Sequence, residues 1–494
     1  MKPSFSEFEQ MAGRGNLIPV FQDLSADGLS PTRVYEGLKD SSYSYLLESA
    51  DEERKWGRYS IIGFQPLIVA LLYDQRMKIL RDDLLTTMEN VEDPLPALRD
   101  LLKAFRPVRN PNLPPFQGGL VGYFNYDLVR KWERLPGVSS QEGGLPEGIF
   151  TASRQMIVFD HLASKISVVV LAHLEPGRSH EEIYDEACDR VARCVKEIEE
   201  PLGKEGSSSS FSATSLQSNF KREDFTAAVR KAKDHIVAGD VIQVVVSQRF
   251  SGEGSGEPFS LYRRLRSINP SPYLFYLNYG ETTLIGSSPE ILVRLTDGKI
   301  LVCPIAGTRP RGENPAQDRA LEEELLADPK ERAEHIMLVD LGRNDVGKVS
   351  MPGSVRVFPL MKVERYSHVM HIVSGVEGQL KTGLDCFDVF KSAFPAGTLT
   401  GAPKIRAMEI ISELEPGPRG PYGGAVGYFG FDGNMDFCIT IRTITVQQDK
   451  VSVQAGAGIV FDSSPELEHQ ECLNKAKALF EAIEGARSYD PFDR

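Results

Sequence analysis

Apolar residues recur at helical spacing from Phe225 to Ala238, and Gly239-Asp240 ends that run. Val241 to Phe250 then reads as a strand, as do Lys299 to Ile305 and Phe437 to Val446. The longer stretches Asp318 to Leu341 and Pro465 to Ile483 predict helices, and Ile405 to Leu414 a shorter one. Ser367 to Ile372 alternates in the manner of a strand. Antiparallel-looking sets of strands with helices between them favour an α+β fold over a regular βαβ repeat.

Residues 203–218 are rich in Ser and Gly and poor in bulky apolar side chains, which predicts a linker. The expected organisation is therefore an N-terminal domain of residues 1–202, the linker, and a second domain of residues 219–494. One segment is echoed across that divide. Gly118-Gly119-Leu120-Val121-Gly122-Tyr123-Phe124 resembles Gly423-Gly424-Ala425-Val426-Gly427-Tyr428-Phe429, and aspartates follow at Asp127 and Asp432. Shared strand chemistry and pseudo-symmetric sheets both account for it.

Composition narrows the function classes. The chain has 494 residues, 41% hydrophobic and 25% charged, with a net charge of −13. Such a charge argues against nucleic acid as the main partner, because phosphate binding needs a basic surface. No apolar run is long enough to span a membrane. Met1 to Gln10 is polar and mixed in charge, unlike a secretion signal, so a cytoplasmic location is expected. The six cysteines form no C-x-x-C pair, and free thiols are expected rather than a disulfide framework or zinc ribbon.

The candidate chemistry begins with carboxylates. Glu331 and Glu334 share one helix face, and so do Glu468 and Glu471, with Lys475 one turn further on. A lone pair of this kind is ordinarily a solvated helix face. Here both pairs adjoin apolar stretches, 336–339 and 476–480. Four carboxylates turned into one cleft would cost several kcal/mol per ion without a cation. Hard oxygen ligands suit Mg²⁺. Glycine-rich turns at 455–458 and 397–401 offer backbone N–H groups to an anion, although neither has P-loop or dinucleotide spacing. Histidine is sparse, and His371 on its own reads as an ordinary strand residue. No Ser-His-Asp or Cys-His pattern is legible, nor a Gly-x-Cys-x-Gly segment for glutamine hydrolysis.

Taken together, these blocks resemble the chorismate-utilising enzymes. They run in order as 239–243, Ser287-Ser288-Pro289-Glu290, 304–312, 331–345, 394–404 and 468–475. Tyr45 to Ser49 and Gly57 to Gly63 extend the resemblance toward the anthranilate-forming branch. The resemblance implies a two-domain α+β fold, with large antiparallel β-sheets packed with helices around a central cleft. It implies Mg²⁺ ligation by Glu334 and Glu471, with Glu331 and Glu468 as nearby or water-mediated partners. Glu290 matches a general acid at the departing ring hydroxyl, and His371 and Thr398 match residues lining the ring. Tyr422, Arg442, Gly456, Gly458 and Lys475 match positions that hold the carboxylate and enolpyruvyl groups.

Two positions separate the branches. Isochorismate and salicylate synthases place a water-activating lysine where this chain has Gln243. Many 4-amino-4-deoxychorismate synthases place a nucleophilic lysine where it has Ala306, followed here by Gly307 and Thr308. Ammonia is then the implied attacker, delivered by a separate glutamine amidotransferase chain in a hetero-oligomer, a heterotetramer. Leu47-Glu48-Ser49 and Pro272-Tyr273-Leu274 resemble a tryptophan feedback pocket; alone they read as a strand and a proline turn. The competing readings are an aminodeoxychorismate synthase large subunit and a non-catalytic binder of chorismate or tryptophan on the same fold.

Overall fold

The computed structural model describes residues 1–38, 41–49, 57–81, 84–137, 146–199, 210–365 and 369–485. Among them, 22 strands join into one curled antiparallel sheet, and three more form a small sheet of Ile305–Pro310, Val369–Val373 and Lys362–Arg365. Helices cover the sheet faces. Pro465–Glu484 packs on strand Lys450–Ile459, and Pro329–Val349 packs on strand Ile305–Pro310. The cleft lies between these two helices.

Most of the predicted elements are present. Helices Arg222–Val237, Lys404–Leu414 and Pro465–Glu484 follow the apolar period. Strand Gln243–Ser255 follows the run of valines. Four expectations are corrected. The strand predicted over Lys299 to Ile305 ends at Val302, and Ile305 opens a strand of the small sheet. The long helix predicted from Asp318 is two helices, Pro315–Ala327 and Pro329–Val349. Asp328 ends the first and caps the second, accepting from the Lys330 and Glu331 N–H groups, with Pro329 in the first turn. The strand predicted over 437–446 is likewise two, Met435–Ile439 and Thr443–Gln447. Arg442 breaks it with a left-handed φ of 49°. Finally, part of the predicted linker is sheet. Ser212–Ala213 and Gln217–Ser218 pair with strand Gln243–Ser255, whereas residues 203–209 lie outside the described residues.

Pairing across the expected divide is extensive. Strand Ser44–Glu48 pairs with Tyr273–Tyr279, and Gly119–Phe124 pairs with Ala425–Gly430. The second pair joins the echoed segments in antiparallel register, with Gly122 opposite Gly427. A Cβ on Gly122 would meet the Ile149 carbonyl oxygen at 2.0 Å, and one on Gly427 would meet that of Asp436 at 2.1 Å. The two halves of the echo thus repeat the same close strand approach about a local two-fold axis, and glycine is required at both centres.

Candidate active site

Ten separate segments supply the catalytic, substrate and metal residues singled out from the sequence. Glu290 lies in the two-residue connection between strands Thr282–Ser288 and Ile291–Thr296. Its backbone is fixed on both sides: its N–H reaches Ser288 Oγ at 3.4 Å, and its carbonyl accepts from the Ile439 N–H at 3.0 Å. Burial pushes its carboxyl up to about 7, against the opposing pull of Thr398, Lys475 and Arg442. Thr398 sits in the short helix Gly397–Thr400, and its buried Oγ1 has no partner at hydrogen-bond distance among the described residues. Arg442 makes no ion pair among the described residues, and burial lowers its pKa while Glu290 opposes that shift. Its left-handed backbone is the kind of strain that a functional position retains.

On the opposite wall, Gly307 forms a bulge in strand Ile305–Pro310 with φ 70°. Its carbonyl lies 3.0 Å from His371 Nδ1, and Thr308 Oγ1 lies 3.1 Å from the same nitrogen. A carbonyl only accepts, so Nδ1 carries the proton and Nε2 is the basic nitrogen. Burial lowers the His371 pKa, which keeps the ring neutral. Ala306 is buried next to this bulge.

Glu331 and Glu334 project from helix Pro329–Val349, and Glu468 and Glu471 from Pro465–Glu484. The two pairs do face one another. The Glu334 pKa is raised by burial first, then by Glu331 and, less strongly, by Glu471, against Lys475. That of Glu468 is raised by burial and by Glu471, against Ser463. Two of the four are held by cations: Arg309 Nη1 lies 3.3 Å from Glu331 and Lys475 Nζ 2.6 Å from Glu471. As the side chains stand, no group of three or more His, Cys, Asp or Glu among the described residues is close enough to hold a metal ion. Lys475 also donates to the Gly456 carbonyl at 3.1 Å. Gly456 and Gly458 are bare where other residues would fill the cleft: a Cβ on Gly456 would meet Tyr422 Oη at 2.8 Å, and one on Gly458 would meet Gln243 Nε2 at 2.4 Å. Gln243 Oε1 is buried without a partner. Gln243 and Glu334 both line a cavity of about 1170 Å³ that opens beside helix Pro329–Val349.

The expected regulatory segments also meet, since Leu274 pairs with Glu48 and Phe275 with Leu47. Ser49 follows directly, and Pro272 precedes the strand. Two residues that the sequence reading passed over complete this region. Tyr273 donates to Asp436 at 2.9 Å, and Arg294 lies 2.6 Å from Asp436. An aspartate inside the otherwise apolar strand Met435–Ile439 was the available signal. Arg309, which links Glu331 to Glu324 and Asp328, was also passed over; it lies in the conspicuous block at 304–312.

Comparison with known proteins follows from this geometry. The family described as chorismate binding enzyme matches residues 43–481. Anthranilate synthase component 1 of Acetivibrio thermocellus is 48% identical, covering 98% of this chain and 99% of that protein. The protein of the same name from Pseudomonas putida is 46% identical over 97% of each. Among solved structures, anthranilate synthase component I from Streptococcus pneumoniae TIGR4 superposes with a TM-score of 0.75 at 36% identity, covering 92% of this chain and 98% of that one. The menaquinone-specific isochorismate synthase of Escherichia coli superposes at 0.70 with 19% identity, over 97% of this chain and 98% of that one, a likeness of fold alone.

Proposed function

The chain belongs to the chorismate-binding enzymes, and from that premise we propose that it converts chorismate and ammonia to anthranilate, pyruvate and water. The observation that carries this reading is Glu290: a carboxyl raised to about 7 among Thr398, Arg442 and Lys475, in a cleft whose Gln243 and Ala306 offer neither a base for water nor a nucleophilic amine. Near-full-length identity with proteins named anthranilate synthase component 1 supports it.

The roles follow from the atoms in place. Arg442, free of carboxylate partners among the described residues, receives a substrate carboxylate through paired N–H bonds. Ammonia adds its lone pair to ring carbon 2, the ring double bonds shift, and the carbon 4–oxygen bond breaks. Glu290 gives the departing hydroxyl its proton, so that it leaves as water. Loss of the ring proton at carbon 2 and cleavage of the enolpyruvyl ether then release pyruvate and leave an aromatic ring. His371 Nε2, on a neutral ring oriented by the Nδ1–H bond to Gly307, takes that proton. Tyr422, Gly456, Gly458 and Lys475 hold the enolpyruvyl side.

Magnesium fits the acidic set. The donors are all oxygen, and Glu334 carries the repulsion of two neighbouring carboxylates that a divalent cation relieves. Glu334 and Glu471 would hold it, with Glu331 and Glu468 beside them. When bound it supplies positive charge for the ring carboxylate. Ammonia comes from a partner glutamine amidotransferase, and tryptophan inhibits at the Ser49 and Tyr273 region. The direct test is anthranilate fluorescence with chorismate, ammonium and Mg²⁺, with and without EDTA. Product that depends on both metal and ammonium is expected; an amino-chorismate that keeps its enolpyruvyl group would overturn the reading. Glu334→Gln and Glu471→Gln are each expected to abolish turnover in the same assay, and substantial retained rate would remove them from the metal site.

A further inference from the structure

Behind the ring site lies a second cavity, of about 880 Å³, that this chemistry does not use. A stack of three side chains divides the two. The Arg419 guanidinium lies 4.7 Å from the Tyr126 ring centroid and 5.6 Å from that of Tyr422. Strand Lys450–Ile459 runs along both spaces. Ser452 and Gln454 line the rear cavity, and Gly456 and Gly458, on the same face two and four residues on, border the ring site.

The rear cavity is polar and cationic. Arg130, Arg249, Arg419 and Lys450 line it against only Asp127 and Glu415. Glu415 is paired to Arg419 at 2.6 Å and Asp127 lies 3.7 Å from Arg130. Arg249 has no ion pair among the described residues; it donates to Gln454 Oε1 at 3.1 Å and to the Pro418 carbonyl. Three further groups on the walls have no hydrogen-bond partner among the described residues: Asn125 Oδ1, Tyr126 Oη and Thr440 Oγ1. Their residues are 3%, 3% and 1% exposed. Buried polar groups are almost always paired, so three unpaired ones lining one cavity with an arginine that has no ion pair mark a place for a hydrogen-bonding anion. Tyr126, Thr440 and Arg249 can all donate to a carboxylate, and Asn125 Oδ1 accepts from a water that accompanies it.

We propose that this cavity is a second anion site for a small carboxylate, and that its physiological occupant is the three-carbon oxo acid released on the other side of Tyr422. The occupant's identity rests on the proposed function.

The test uses sodium pyruvate against the full chain, with sodium chloride at matched ionic strength as control. Pyruvate is expected to lower kcat without raising the KM for chorismate, and to raise the melting temperature. Arg249→Gln and Tyr126→Phe should each weaken both effects about tenfold, the worth of one charge-assisted hydrogen bond, and leave kcat without pyruvate unchanged. Inhibition that is purely competitive with chorismate, absent altogether, or equal in both variants and the wild type would overturn the proposal. A wild-type chain that makes no anthranilate at zero pyruvate would instead sink the proposed function; the melting-temperature shift would still decide whether a carboxylate binds.

Discussion

Two carboxylates, Glu48 and Glu290, are withdrawn from bulk water in this protein under opposite conditions. Glu48 accepts from Tyr262 Oη at 2.6 Å, from Arg266 Nε at 3.0 Å and from Ser60 Oγ at 3.3 Å. Its charge is matched and its oxygens are filled. Glu290 has Arg442 and Lys475 near it but no ion pair among the described residues, and its carboxyl is pushed up to about 7. A buried charge with a full set of donors is scaffold. One left short of them is held ready for a ligand or a proton. By this comparison the segment at Glu48 owes its shape to an internal network, whereas the cleft at Glu290 is completed by what it binds.

The largest test of that contrast removes the poised proton. Glu290→Gln should lower kcat by about 10³-fold with little change in melting temperature. A comparable loss of stability would make Glu290 a second scaffold residue. The converse variant, Glu48→Ala, should cost about 2 kcal/mol by stranding the buried Tyr262 hydroxyl, read from denaturant unfolding, with kcat per folded molecule kept.

The pH profile sharpens the same point. Because the folded pKa of Glu290 is raised, its acid form persists up to about 7 and is lost above it. The rate normalised to un-ionised ammonia should therefore fall as pH rises through about 7, and Glu290→Gln should flatten that limb. The same raised pKa adds stability that is complete below the usual glutamate value and fades as pH climbs to about 7.

A milder effect is expected at the proposed tryptophan region. Ser49→Phe and Asp436→Asn should each raise the tryptophan concentration for half inhibition about tenfold, with uninhibited kcat preserved. Unchanged inhibition in both would detach tryptophan from this region. At the low end stands the partly exposed pair Glu186–Arg190, 2.9 Å apart on one helix face. Arg190→Ala should shift stability by less than about 0.5 kcal/mol, since solvent screens such pairs.

What was legible in the sequence was whatever repeats locally. The helix carrying Glu468 and Glu471 shows its period, and the blocks around Glu290 and Thr398 keep their order. The Asp328-Pro329 break was also legible, as a cap followed by proline, but apolar spacing on both sides masked it. The links from Arg294 and Tyr273 to Asp436 were not, because each crosses more than a hundred residues and leaves no local period. Nor does spacing reveal that Arg442 turns left-handed, which only the packing around it enforces. The four carboxylates were found as two pairs; that they share a field required the fold.

The paired glycine strands also bear on how the chain is made. Gly122 waits for a partner that is translated roughly three hundred residues later, and strand Ser44–Glu48 waits for one more than two hundred residues away. The first half thus leaves the ribosome with two apolar strand edges uncovered, each a template for the wrong neighbour. Folding of this half cannot be completed until the second half arrives. Slowing translation between them should therefore raise the aggregated fraction without altering the mature protein.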